Sequence, residues 1–178
     1  DPYHGGGHLP DYNVFAPVFD SNGELTLIVS IQCHHGDTGG AAPGGYPMDA
    51  IDVWAEGVRF PAVKIIEAGK ERADVLYMLQ ANNRLATYMG DIRAQIGACQ
   101  LGVHQLKALT TKYGTSTVKQ SVDYMIWHSQ ERFRHEVRQW PVGTYQADVY
   151  ADRDPQGNED IHVHCTVTVH DDGRLTID

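Results

Sequence analysis

Side chains able to hold a metal ion crowd two short stretches near the start of the chain, Gly5-Gly6-Gly7-His8-Leu9-Pro10-Asp11 and Cys33-His34-His35-Gly36-Asp37. Two imidazoles and one carboxylate make a partial ligand shell that leaves positions open for water or substrate, the pattern of a catalytic rather than a structural metal site. An ion held this way acts as a Lewis acid. That chemistry requires the two stretches to meet in space, although a long run of chain separates them.

The intervening residues supply the means. Residues 12–19 and 24–33 are rich in strand formers and flank Asp20-Ser21-Asn22-Gly23, a turn composition, so they are expected to fold back as an antiparallel hairpin. With the turn centred between Ser21 and Asn22, facing residues have numbers summing to about 43, which sets 8–11 opposite 32–35. Along the second run Leu25, Leu27, Val29, Ile31 and Cys33 share one face, and Thr26, Ile28, Ser30, Gln32 and His34 the other. Facing Cβ atoms lie about 4.5–5.5 Å apart, a span that ligand bonds of about 2 Å to one ion can bridge. His8, Asp11 and His34 are therefore the candidate metal ligands. His35 and Asp37 are the candidate catalytic residues: they could serve as fourth ligand and base, or orient the ligands by hydrogen bonds to the distal ring nitrogens.

The rest of the chain reads as an α+β fold: an N-terminal β-hairpin with the metal site, central helices and C-terminal antiparallel strands. It is expected to form one segment, with the hairpin and a glycine-rich loop in 1–70, helices in 71–138 and strands in 139–178. The glycine-dense loop 38–47 lacks the Lys-Ser/Thr ending of a phosphate-binding loop and predicts close backbone packing near the metal. A short helix is expected over 48–56, an extended stretch over 58–66, and three helices beyond. The middle helix repeats Ile92, Ile96, Cys99, Val103, Leu106 and Leu109 at helical spacing and ends at Tyr113-Gly114. The third, over 116–138, has Val118, Val122, Met125, Ser129, Phe133 and Val137 as its expected inward stripe. Strands follow at 144–150, 161–169 and 174–177, with turn signals at Asp154-Pro155-Gln156-Gly157-Asn158 and Asp171-Asp172-Gly173. His162 and His164 could be a second metal pair, but with no carboxylate evidently aligned they are read as the polar face of a one-sided sheet. His104, His128 and His135 are read as polar helix-face residues.

Composition narrows the function. A formal charge of −9 without a basic stripe argues against nucleic-acid and anionic-membrane binding, leaving small-molecule chemistry or protein partners. Cys33, Cys99 and Cys165 show no Cys-x-x-Cys spacing, which argues against a disulfide framework or zinc ribbon and suits the cytoplasm. No signal peptide and no apolar run long enough to cross a bilayer is evident. The chain opens on Asp1-Pro2-Tyr3 without an initiator methionine and closes in a strand pattern, so it is expected to be an internal segment of a larger subunit.

An ordered series of motifs runs nearly from end to end: Asp1-Pro2-Tyr3, Gly6-Gly7-His8-Leu9-Pro10-Asp11, Pro17-Val18-Phe19, His34-His35-Gly36-Asp37 with Gly39-Gly40, Pro43-Gly44, Glu56-Gly57, Gly90-Asp91-Ile92-Arg93-Ala94-Gln95 and Tyr113-Gly114. In this series the chain resembles the hydantoinase B, oxoprolinase and acetone/acetophenone carboxylase family, specifically its larger, metal-bearing subunit. The resemblance implies a divalent metal, zinc or manganese, at His8, Asp11 and His34, with a further acidic ligand upstream of Asp1, so that the isolated segment is expected to be inactive. It implies a hetero-oligomer in which a hydantoinase A-like partner, not this chain, binds ATP and phosphorylates the carbonyl of a small ketone or cyclic amide. Many hydrolase members carry His-His-Ala-Asp-Ile-Gly-Gly followed by Pro-Gly-Ser-Met, where this chain has His34-His35-Gly36-Asp37-Thr38-Gly39-Gly40 and Pro43-Gly44-Gly45-Tyr46. That departure tilts the expectation towards a ketone carboxylase, with ATP-dependent hydantoinase or oxoprolinase activity, or a non-catalytic metal-stabilised docking domain, as the alternatives.

Overall fold

In a computed structural model of the protein, which describes residues 2–154 and 156–178, β1 (Asp11–Phe19) and β2 (Leu25–His34) form the expected antiparallel hairpin. Asp1 of the opening motif and Pro155 of a turn signal lie outside the described residues. The hairpin turn is wider than the tight turn assumed from sequence. Asp20 Oδ1 accepts the backbone N–H groups of Asn22 (2.9 Å) and Glu24 (3.0 Å), and Gly23 closes the loop at a left-handed φ of 81°. This side-chain-capped turn, with an irregularity between Val18 and Phe19, moves the register by two residues, so that Asp11 pairs with His34 and not with Gln32.

From Leu27 onward the alternation read along β2 is kept: Leu27, Val29, Ile31 and Cys33 are half-buried, and Ile28, Ser30, Gln32 and His34 are exposed. The half-buried face is covered by α3 (Tyr88–Tyr113), which buries Ile92, Ile96 and Cys99 of its expected stripe. The approach is close. A Cβ on Gly102 would come 2.8 Å from Val29 Cγ1, so only a residue without a side chain lets the helix lie on the strand there. Leu76 and Leu79 of α2 (Ala73–Ala81) join Tyr88, Ile92 and Ile96 in one apolar cluster, with Tyr12 and Phe60 packed against it.

Between hairpin and helices the sequence reading needs correction. The helix expected over 48–56 is only its last turn, α1 (Val53–Glu56), where Asp52 Oδ1 accepts from Trp54 N and Ala55 N (3.0 and 3.1 Å). The extended stretch expected over 58–66 is broken, because Pro61 has no N–H to donate and Ala62 sits at a φ of 80°. Of that stretch only Ile66 is in a strand, at the start of the short pair β3 (Ile66–Glu67) and β4 (Lys70–Glu71) that follows it.

The chain divides into two compact units, residues 1–109 and 110–178. The second contains α4 (Thr115–Val137) and an antiparallel sheet of β5 (Gly143–Arg153), β6 (Glu159–Val169) and β7 (Leu175–Ile177) in that order. Arg138 Nε donates to Asp172 O (3.2 Å), tying the end of α4 to the β6–β7 turn. Val118 and Val137 are buried, but Met125 and Phe133 of the expected stripe are 57% and 54% exposed. Spacing marks a helix face as apolar; it does not say what lies against it. A second correction concerns β6, where the register with β5 sets Asp148 opposite His164 and Tyr150 opposite His162. The carboxylate that the sequence reading did not find is on the neighbouring strand. Helices and antiparallel strands thus occupy separate stretches of an α+β chain. Among the described residues no helix is long and apolar enough to cross a membrane.

Candidate metal centre

The hairpin's open end gathers three ligand-type side chains. His8 leaves the loop before β1, Asp11 is the first residue of β1 and His34 the last of β2. The peptide groups fix this end: Asp11 N donates to His8 O (3.1 Å) and His35 N to Pro10 O (2.8 Å). Asp11 Oδ1 consequently lies 2.7 Å from His8 Nε2 and 2.9 Å from His34 Nδ1. One ligand atom from each residue falls within 4.8 Å of the others. The Asp11 side chain is 18% exposed and those of His8 and His34 are 33% and 49% exposed, so the cluster opens to solvent on the imidazole side.

Neighbours hold each of the three side chains in place. Gln32, two residues before His34 on the same strand face, donates Nε2–H to Asp11 Oδ2 (2.7 Å) and leaves Oδ1 turned to the histidines. Burial works to raise the Asp11 carboxyl, but hydrogen bonds from His8, His34 and Gln32 outweigh it and hold the group below its usual range. Tyr46 Oη hydrogen-bonds His8 Nδ1, and its ring stacks on His34 with centroids 6.0 Å apart and planes 16° from parallel. The glycine-rich loop brings Tyr46 there by lying directly on Pro10: at Gly45, with a φ of 68°, a Cβ would fall 2.1 Å from Pro10 Cγ. The expectation of close backbone packing near the site thus has a specific atomic basis.

Two nitrogens and one carboxylate oxygen, convergent and partly open, suit a divalent ion of borderline character. A group that hydrogen-bonds the far nitrogen of a metal-ligating histidine, as Tyr46 would for His8, typically contributes about 10- to 100-fold in metal affinity. Tyr46→Phe is therefore expected to weaken metal binding by about 10- to 100-fold, read by competition with a chromophoric chelator, while leaving the melting temperature unmoved.

The structure places His35 and Asp37 in buried positions directly after His34. His35 is 1% exposed and wedged between Tyr12 and Tyr88, with ring centroids 4.7 and 5.3 Å away. Its Nε2 lies 2.9 Å from Gln95 Oε1, and Gln95 in turn donates Nε2–H to Tyr12 O (2.9 Å). That orientation of the amide makes His35 Nε2 the donor, and Nδ1 is buried without a hydrogen-bond partner among the described residues. Asp37 is fully buried. Its carboxylate accepts Arg84 N (2.6 Å), Arg84 Nε (2.9 Å), Arg84 Nη2 (2.6 Å) and Gly39 N (3.2 Å). Asn83 Nδ2 caps the Asp37 carbonyl. Arg84 and Gln95 carry this arrangement and were missed in the sequence reading. Arg84 falls between α2 and α3 with no spacing that marks it, and Gln95 enters the sequence only as the last residue of the Gly90-Asp91-Ile92-Arg93-Ala94-Gln95 motif, among the apolar positions of α3.

The whole chain, residues 1–178, matches the family model for hydantoinase B/oxoprolinase. The chain belongs to that family. Within the hydantoinase B/oxoprolinase family it is 32% identical to the caprolactamase subunit beta of Pseudomonas jessenii over 97% of its own length and 30% of that protein. It is also 32% identical to 5-oxoprolinase 1 of Arabidopsis thaliana, over 77% of this chain and 12% of that one. The crystal structure of the ATP-dependent caprolactamase from Pseudomonas jessenii superposes with a TM-score of 0.90 at 31% identity, covering 99% of this chain and 30% of that chain. A nucleotide-free acetone carboxylase structure shares the fold, with a TM-score of 0.82 at 22% identity over 96% of this chain and 24% of its own. The chain thus spans less than a third of the length of these relatives.

Proposed function

We propose that this chain supplies the metal-bearing part of an ATP-dependent enzyme that hydrolyses a cyclic amide, with His8, Asp11 and His34 as ligands of a zinc or manganese ion. The observation that carries the reading is the convergence of His8 Nε2 and His34 Nδ1 on Asp11 Oδ1 at the open end of the hairpin. A divalent ion bound there supplies Lewis-acid stabilisation for charge developing on a substrate oxygen. ATP belongs to a hydantoinase A-like partner in a hetero-oligomer, which phosphorylates the amide oxygen. Water then adds at the activated carbon, and the ring C–N bond breaks as the nitrogen takes up a proton, leaving an acyl phosphate; a second water cleaves this to carboxylate and inorganic phosphate, and ADP remains with the partner.

The chain's own residues prepare that site. Gln32 pins Asp11 Oδ2 so that Oδ1 alone is presented. Ligation through His8 Nε2 requires the ring proton on Nδ1, where Tyr46 Oη stands ready to accept it as a hydrogen bond. The Tyr46 ring covers one side of the His34 imidazole and meets that of His8 edge-on. His35 and Asp37 act by holding the end of β2 and the loop that follows it, each through a partner on the helical segment, and so position the ligands without touching substrate.

Cyclic-amide hydrolysis is favoured by the named activities of the relatives above 30% identity, caprolactamase and 5-oxoprolinase. Ketone carboxylation is the second reading, favoured by Gly36 and by Gly45-Tyr46 where many hydrolases of the family carry other residues. The full-length subunit, assayed with its ATP-binding partner, separates them. ATP-dependent opening of a lactam or hydantoin ring without bicarbonate is expected. Product that forms only from a ketone with bicarbonate would overturn amide hydrolysis in favour of carboxylation, and a metal-loaded complex inert towards both substrate classes would favour a docking role for this segment.

A further inference from the structure

The polar face of the C-terminal sheet repeats the donor arrangement of the hairpin in the other compact unit. Asp148 on β5 pairs directly with His164 on β6, and His162 lies two residues before it on the same face. Asp148 Oδ1 is 2.6 Å from His162 Nε2 and 2.9 Å from His164 Nδ1. The ligand atoms of the three residues lie within 4.8 Å of one another. In both clusters a single carboxylate oxygen meets one Nε2 and one Nδ1, and in both a tyrosine lies against one of the imidazoles. Here Tyr150 stacks on His162, with centroids 5.0 Å apart and planes 26° from parallel.

We propose that Asp148, His162 and His164 form a second divalent-metal site, taking a borderline ion such as zinc across the β5–β6 strand pair. The donor set is the argument. Two neutral imidazoles and a carboxylate match the nitrogen- and oxygen-rich sites of zinc, and select against magnesium or calcium, which prefer oxygen throughout. The far nitrogen of His164 is already engaged, since Nε2 lies 3.1 Å from Thr166 Oγ1, and this outer bond fixes the ring with Nδ1 towards Asp148. The backbone ladder on either side, from Ala147–Cys165 to Val149–Val163, holds the strands at fixed separation, so binding needs side-chain adjustment and no backbone rearrangement. The three side chains are 52%, 50% and 42% exposed in the order Asp148, His162 and His164, which leaves room for water or another segment's donor as the fourth ligand. Such an ion adds coordinate bonds between β5 and β6 to the backbone ladder and the side-chain hydrogen bonds that already cross there.

Zinc titration of the full-length subunit by calorimetry tests this, comparing wild type with His162→Gln/His164→Gln and with Asp148→Asn, all with the hairpin ligands intact. Wild type is expected to take up one more zinc equivalent than the double variant, and Asp148→Asn to bind that equivalent at least about 100-fold more weakly. His170→Gln, on the same sheet face and bonded to Thr176 Oγ1, is expected to bind as wild type does. Equal zinc stoichiometry and affinity in wild type and the double variant would overturn the proposal, as would an equal loss in His170→Gln, which marks non-specific binding to surface histidines. Because the altered side chains are exposed, melting temperatures in chelator are expected to coincide. If the double variant fails to fold, Asp148→Asn decides alone, an unchanged affinity there overturning the site.

Discussion

Replacing His34 with alanine in the full-length subunit will reduce bound metal from one equivalent at the hairpin to none, and ATP-dependent turnover will fall with it by at least about 1,000-fold. The size follows from the donor count. A structural zinc site with four donors is worth about 10–16 kcal/mol, so one imidazole accounts for several kcal/mol, and about 1.4 kcal/mol is a factor of ten in affinity. Loss of folding will not explain the result, because the His34 side chain is 49% exposed and lies outside the apolar cluster. Its removal is expected to shift stability by under about 1 kcal/mol. Asp11→Asn keeps the shape and the contact with Gln32 but loses the anionic charge, and is expected to lower metal affinity by a comparable factor. Elemental analysis alongside thermal melts reads both quantities. Full metal content in His34→Ala with activity intact would remove the hairpin from the mechanism.

How much of this was legible beforehand depended on the range of the interaction. The hairpin, the three long helices and the C-terminal strands follow from local periodicity and turn composition, which operate over neighbours in sequence. His8, Asp11 and His34 were reachable because an antiparallel pair converts sequence distance into spatial adjacency once the turn is located, and the two-residue error in register did not separate them. Asp148 could have been reached in the same way. The alternation within β6 carries no information about β5, and a cross-strand partner exists only once a register between the two is assigned. Arg84 and Gln95 were out of reach, since no local pattern says that an arginine after a helix end will close on a loop forty-odd residues earlier. The failure over 48–66 has a different cause: short elements there are set by Asp52, Pro61 and Ala62 acting singly, and a periodicity window averages such residues away.

Arg84 also makes the role of Asp37 testable. Asp37→Ala is expected to destabilise the chain by about 2–4 kcal/mol, less than the cost of breaking a fully buried pair because the Arg84 side chain is 43% exposed. Unmade bonds at Arg84 N and Gly39 N add to the lost ion pair. The melting temperature should drop by roughly 10 °C. Arg84→Lys, which keeps the charge but loses the fork that reaches both carboxylate oxygens, is expected to fall between. The pH dependence gives a sign. Side-chain hydrogen bonds from Arg84 outweigh burial and hold the Asp37 carboxyl at about 2, below its ordinary 3.8. The native state therefore binds this proton more weakly than the unfolded state does. The stabilisation is fully present above pH 3.8, and falls away as pH drops from there through about 2. Urea midpoints of wild type and Asp37→Asn should accordingly differ most near neutral pH and converge in acid, with about 2 kcal/mol of the difference titrating. Metal affinity will follow stability down, because Asp37 anchors the loop directly after His34 without touching the ligands. A variant that keeps wild-type stability but loses turnover would refute the positioning role and return Asp37 to the chemistry itself.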